Sequence, residues 1–146
     1  MSAPSMVTSE SSSVALYPCL SYRDANAAIR FLVAAFGFEE VAVYRDEAGD
    51  VQHAELAIGS CIIMLGSERP DLGWVSPLTA NMRTMTISVY WPDSLEALHA
   101  RATAAGASIV RPLQPTSYGS MEFSVRDPEG NEWHWGTYRP EKPARA

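Results

Sequence analysis

Asp127-Pro128-Glu129-Gly130-Asn131-Glu132-Trp133-His134-Trp135 is a turn that runs straight into a strand. Asp-Pro opens a reversal, Gly130 accepts a positive φ and Asn131 tolerates one, so the first five residues specify a tight connection between two strands. Beyond it the pattern has a period of two: Trp133 and Trp135 fall on one face, Glu132 and His134 on the other. One face is suited to packing and the opposite face carries ionisable groups.

Working outward, the half of the chain that ends in this hairpin begins at Met85, where Thr86, Ser88 and Tyr90 alternate with Ile87, Val89 and Trp91. Asp93 is placed to cap a helix, Glu96 to complete a capping box, and Leu95, Leu98, Ala102 and Ala105 form a narrow apolar stripe that Gly106 ends. The first half has the same order. Val14 to Tyr22 alternates as a strand, and Asp24 caps a helix whose apolar positions are Ile29, Leu32, Val33 and Phe36, stopped by Gly37. Three strand signals follow, near 38–45, 51–58 and 61–66. Asp24 and Asp93, Gly37 and Gly106, Val41 and Val110 are each 69 residues apart. His53-Ala54-Glu55-Leu56 is matched to Ser120-Met121-Glu122-Phe123, which predicts an internal duplication with paired glutamates.

These signals divide the chain into a tail at 1–13, a single domain at 14–138 made of modules 14–66 and 84–138 with a linker at 67–83, and a tail at 139–146. With 146 residues, of which 47% are hydrophobic and 19% charged, the composition is that of a soluble globular protein with one core. Seventeen acidic against 11 basic residues give a net charge of -6, which argues against nucleic acid or an anionic membrane as partner. No apolar run approaches the ~20 residues that span a bilayer. Cys19 and Cys61, single cysteines inside expected strands, fit a reducing cytoplasm.

A β-α-β-β-β unit used twice, with Ala-Gly after the second helix and Asp-Pro-Glu-Gly-Asn closing the second copy, resembles the vicinal oxygen chelate superfamily. That group takes in glyoxalase I, extradiol dioxygenases, fosfomycin-resistance proteins and bleomycin-binding proteins. The run Tyr22-Arg23-Asp24-Ala25-Asn26-Ala27-Ala28-Ile29-Arg30-Phe31 and the later His53-Ala54-Glu55-Leu56 resemble its glyoxalase/bleomycin-resistance, PhnB-like branch. The resemblance covers about residues 14 to 138 and implies an α+β fold: two βαβββ modules forming a cupped mixed β-sheet with helices on the convex side. It also implies a homodimer. In such proteins, metal ligands come from the first and fourth strands of each unit. Counted from the capping aspartates and the turn glycines, those positions are Tyr17, Ile63, Thr86 and His134. Only His134 is a good ligand, so neither a catalytic metal nor another cofactor is expected.

Strand parity places Tyr17, Cys19, Ser21, His53, Glu55, Ile63, Thr86, Ser88, Tyr90, Glu122 and His134 on the open face, with Ile62 and Met64 assigned to the packed side. Polar alternation of this kind also describes the wet side of any antiparallel sheet, and His53 with Glu55 reads equally as a structural pair. The binding face expected for a small-molecule ligand is Tyr17, His53, Ile63, Trp74, Thr86, Tyr90 and Tyr118, with Trp74 in an interrupted loop and Tyr118 at the rim. The first reading is a protein that holds an antibiotic or metabolite without chemistry. The alternative is a metal-independent isomerase or lyase, with Glu55 or Glu122 as base and His134 as proton partner. A metal-dependent enzyme recruiting His53 or Glu122 is the third.

Overall fold

The computed structural model describes residues 13–144; the expected tail at 1–13, apart from Ser13, and the last two residues of the expected tail at 139–146 lie outside them. The first module comprises β1 (Cys19–Tyr22), α1 (Ala25–Phe36), β2 (Glu39–Arg45), β3 (Val51–Ile58) and β4 (Cys61–Ser67). A 3-10 turn at Pro70–Leu72 and the short α2 (Pro77–Ala80) precede the second module: β5 (Thr86–Tyr90), α3 (Leu95–Ala104), β6 (Ser108–Pro115), β7 (Met121–Arg126) and β8 (Glu132–Gly136). Each module forms its own four-stranded sheet, ordered β1-β4-β3-β2 and β5-β8-β7-β6, in which the first strand lies parallel to the fourth and the rest are antiparallel. This is the expected α+β architecture, a mixed sheet used twice.

Local chemistry sets the element ends. Asp24 Oδ1 accepts the Ala27 N–H at 3.0 Å and starts α1. Gly37, at φ 83°, closes it by donating its N–H to Val33 O. In the second module Ser94, not Asp93, is the cap: its Oγ accepts the Ala97 N–H at 3.1 Å, which leaves Glu96 out of capping-box spacing. The first strand is also shorter than expected. Pairing begins at Cys19, and Val14 and Leu16 stand exposed ahead of it.

Both sheets bury their apolar faces in one core. Leu20, Tyr22, Ala54, Leu56, Ile63 and Leu65 come from the first sheet, Phe123, Val125, Trp133 and Trp135 from the second. Phe36 of α1 sits with its ring centroid 5.4 Å from Trp133 and 4.6 Å from Trp135, so the first module's helix packs on the second module's tryptophans. Full burial of such a phenylalanine contributes roughly 1.5–3 kcal/mol. Arg101 of α3 donates to Val33 O and Ala34 O at the end of α1, tying the helices together. Because both sheets turn one face toward this shared core, each turns its other face away from it.

The repeat is real in topology but its register corrects the sequence alignment. Cys19 pairs with Met64 and Met64 with Glu55, whereas Ser88 pairs with His134 and His134 with Ser124. Glu55 therefore corresponds to Ser124, and Glu122 to His53, so the matched glutamates are two residues out of phase. In β4 the error is one residue and costs the face. The β3–β4 turn is only Gly59-Ser60, while the β7–β8 turn runs from Asp127 to Asn131, so counting four beyond the glycine reaches His134 in β8 but stops one residue short of its equivalent, Met64, in β4. Ile63 goes into the core, and Met64, expected there, takes the open face.

Candidate functional site

The second module's open face carries a connected polar network. Across β5, β8 and β7 the register sets Ser88 beside His134 and His134 beside Ser124, with Tyr90, Gly136 and Glu122 in the next row. Ser124 Oγ lies 2.6 Å from His134 Nδ1, and Glu122 Oε1 is 3.5 Å from the same nitrogen. On the ring's far side Nε2 is 3.3 Å from Glu132 Oε2, whose partner oxygen accepts from Arg126 Nε at 3.1 Å. Tyr118 donates its hydroxyl to Glu122 Oε2 at 2.9 Å, and Arg111 approaches the other carboxylate oxygen at 3.7 Å. The hydrogen bond to Glu122 raises the Tyr118 pKa above the ordinary phenol value, so this hydroxyl is a donor at neutral pH.

This arrangement holds an imidazole between two carboxylates with a hydroxyl fixing its orientation. Such a group can exchange a proton at either nitrogen with an adjacent acid or base. Above the network lies a cleft of about 630 Å³ lined by Thr86, Tyr90, Tyr118, Glu122, His134 and Tyr138. Tyr118 and Tyr138 meet edge to face at 5.4 Å, and Arg139 sits 5.1 Å over the Tyr90 ring, so three tyrosines border the cleft.

The first module's open face is different. His53 Nε2 is 2.9 Å from Glu55 Oε2, with the Tyr44 ring stacked on the imidazole. A second cleft of about 480 Å³ includes Cys19, His53, Met64, Arg69 and Trp74. Trp74 is held there by backbone bonds to Arg69 in both directions, at 2.8 and 3.0 Å. Ser76 caps α2 by accepting the Thr79 N–H on its hydroxyl, and Glu68 accepts the Ser76 N–H at 2.8 Å, anchoring the other end of this loop.

Of the residues picked from sequence, Thr86, Tyr90, Tyr118, Glu122 and His134 come together on the second face, and His53, Glu55 and Trp74 on the first. Tyr17 and Ile63 join neither: both border an apolar groove along the seam between β1, β4 and β5, with Ile63 buried. The expected convergence of Tyr17, Ile63, Thr86 and His134 on one space therefore does not occur within a chain, because two sheets that share a core cannot turn their open faces toward each other. Sequence reading missed Ser124, Arg111, Arg126 and Tyr138. Ser124 was accessible by parity, two residues from Glu122, and Glu132 shares the His134 face for the same reason.

These residues do not fit a divalent catalytic metal within one chain. The four family positions supply one imidazole, and its nitrogens are engaged by Ser124 and Glu132. Among the described residues no three His, Cys, Asp or Glu side chains group as a metal site. Also among the described residues, no helix is long and apolar enough to cross a membrane.

Known proteins share this architecture. The uncharacterized protein Rv0887c of Mycobacterium tuberculosis is 32% identical over 125 residues, covering 84% of this chain and 73% of the relative. TioX from Micromonospora sp. ML1 is 27% identical and superposes with a TM-score of 0.67 over 89% of this chain and 100% of its own. The fosfomycin resistance protein FosX from Mesorhizobium loti, 15% identical, shares the fold with a TM-score of 0.65 over 86% of this chain and 92% of its own. The family model for the Glyoxalase/Bleomycin resistance protein/Dioxygenase superfamily matches residues 15–135. The duplicated βαβββ chain therefore belongs to the glyoxalase/bleomycin resistance protein/dioxygenase superfamily, the vicinal oxygen chelate group.

Proposed function

We propose that this protein holds a small, partly aromatic molecule, an antibiotic or a metabolite, in the tyrosine-bordered cleft over β5, β8 and β7, without a catalytic metal. One observation carries the reading: Tyr90, Tyr118 and Tyr138 stand half-exposed around a floor where Glu122 and His134 are largely shielded. Aromatic walls over a few fixed polar groups bind planar ligands and orient them. Glu122 and Glu132 favour a ligand with hydrogen-bond donors or a positive charge facing the sheet. A thermal-shift screen tests it: a ligand should stabilise the wild type and lose that effect in Tyr118→Ala and His134→Ala. A ligand whose effect survives both changes would sink the assignment.

A second reading, a cofactor-free isomerase or lyase, is favoured by His134 standing between Glu122 and Glu132. Glu122 is then the base and His134 the proton relay. In this reading Glu55 serves the opposite face and takes no part in the chemistry.

The pairing of chains belongs to the same proposal. Two open faces of different chemistry, with unpaired edges at β1 and β5 and an apolar groove between them, are suited to a homodimer in which the His53 and Trp74 face of one copy closes over the His134 face of another. The finer placement in the PhnB-like branch rests on the Tyr22–Phe31 and His53–Leu56 runs. A cytoplasmic location rests on Cys19 and Cys61, which are both free and exposed.

A further inference from the structure

Glu122 is the carboxylate that borders the tyrosine-lined cleft, and only half of it is engaged. Its Oε2 accepts the Tyr118 hydroxyl at 2.9 Å. Its Oε1 has His134 Nδ1 at 3.5 Å and Arg111 at 3.7 Å, both longer than a hydrogen bond, and that ring nitrogen is already 2.6 Å from Ser124 Oγ. The Glu122 side chain is 13% exposed, so water reaches little of it. Arg126, the other cation on this face, is engaged by Glu132. The floor beside Oε1 is bare. The ladder partner of Glu122 is Gly136, where an added Cβ would come within 3.3 Å of Glu122 Cβ and Cγ, so a missing side chain keeps the space open.

The walls favour the same kind of ligand as the floor. The Tyr118 and Tyr138 rings stand at 76° to each other with centroids 5.4 Å apart, which makes an aromatic corner at the rim. Arg139 shows what such rings attract: its guanidinium lies 5.1 Å over Tyr90. Arg139 borders the adjoining seam groove and not the cleft, so the corner stays open. We infer that the cleft selects an organic cation with N–H donors, an amidinium, guanidinium or protonated amine, seated in the Tyr118–Tyr138 corner with an N–H donating to Glu122 Oε1. This rests on the reading of the cleft as a small-molecule site and adds the ligand's charge and its contact atom. A planar amidinium can lie along a tyrosine face while its edge points N–H groups at a carboxylate, so both contacts form together. A largely shielded carboxylate oxygen short of donors gains most from a partner that brings charge and hydrogen at once.

Benzamidine and benzamide have nearly the same shape and differ in charge, which makes them the probes. Each is titrated into the full-length protein and followed by calorimetry and by intrinsic fluorescence. Benzamidine should bind the wild type at least about tenfold more tightly than benzamide. Phenyltrimethylammonium, a cation with no N–H, should bind more weakly than benzamidine. Glu122→Gln keeps the shape and removes the charge, so the preference for benzamidine over benzamide should largely disappear. Tyr138→Ala takes away one wall of the corner and should weaken benzamidine more than benzamide. Four results would each overturn the inference: no saturable binding of benzamidine, benzamide binding as tightly, phenyltrimethylammonium matching benzamidine, or the preference surviving in Glu122→Gln. The broader reading of the cleft falls only if the thermal-shift screen also finds no ligand that depends on Tyr118. Circular dichroism of each variant separates loss of the site from loss of the fold, and the comparison of probes on the wild type needs no variant.

Discussion

Tyr22, the last residue of β1, donates its hydroxyl to Asp127 Oδ2 at 2.6 Å, joining the two modules across 105 residues of chain in the middle of the core. Asp127 also accepts from the Glu129 and Asn131 N–H groups through Oδ1, and Trp133 Nε1 reaches Oδ2 at 3.4 Å. Glu129 then crosses back, its two carboxylate oxygens accepting the Arg23 and Asp24 N–H groups ahead of α1. The turn that organises the sequence is thus also the point where the modules are held together.

Tyr22→Phe should destabilise the protein by roughly 1–3 kcal/mol, because the buried Asp127 carboxylate loses one of its donors and gains no water. Urea unfolding measures this, with a lower midpoint at an unchanged slope as the expected result. An unaltered midpoint would mean that the bond is not formed in solution.

Alkaline pH should loosen the same joint. Burial first, and then the Asp127 charge, push the Tyr22 pKa well above its ordinary value of 10.0. A raised folded-state pKa gives stability that is complete below the unfolded value and is lost as pH rises through the folded one. The wild type should therefore lose stability above about pH 10 more steeply than Tyr22→Phe. Parallel slopes in urea titrations at several alkaline pH values would refute it.

Asp127 is raised from 3.8, chiefly by burial against the opposing effect of the Tyr22 hydrogen bond. The same sign applies: its favourable term is full below the ordinary carboxylate range and fades as pH rises through the folded value. Asp127→Asn, which cannot ionise, should flatten the pH dependence of unfolding on the acid side of neutrality, read from thermal midpoints.

The face assignment of β4 predicts a contrast between neighbours. Ile63→Ala removes core volume and should cost about 2–5 kcal/mol. Met64→Ala, on the open face, should fall within about 1 kcal/mol of the wild type. Equal losses would mean that Met64 packs in the core as Ile63 does.

In the cleft, Glu122→Gln should separate the two functional readings. A binder that uses Glu122 only as an acceptor keeps its ligand with a modest loss of affinity. A proton-transfer enzyme loses turnover by a factor on the order of 10²–10⁴ while still binding substrate. Calorimetry and a solvent-deuterium exchange assay on the same preparation distinguish them.

Much of this fold was legible from single residues. Asp24, Gly37 and the Ile29, Leu32, Val33, Phe36 spacing define α1, and the tryptophan alternation in β8 gives both its faces. These signals are local, fixed by one turn of helix or one pleat. The Ile63 and Met64 exchange was not legible, because in a run of apolar residues parity depends on the length of the preceding turn. The Ser94 cap was hidden by Asp93 beside it, an equally good capping residue. The separation of the two open faces depends on how modules pack through Phe36 and Arg101, which no periodicity within a strand records. His134 could be placed on the open face from its alternation with the tryptophans, but its bond to Ser124 and its approach to Glu122 needed the register of β7 against β8.

The residues that lash the halves together, Tyr22 with Asp127, Glu129 with Arg23 and Asp24, and Arg101 with the end of α1, all lie outside the connecting segment at 67–83. That segment adds the Arg23 bonds to Thr79 of α2: severed ahead of α2, the two fragments retain these clasps and would reassociate as a split protein.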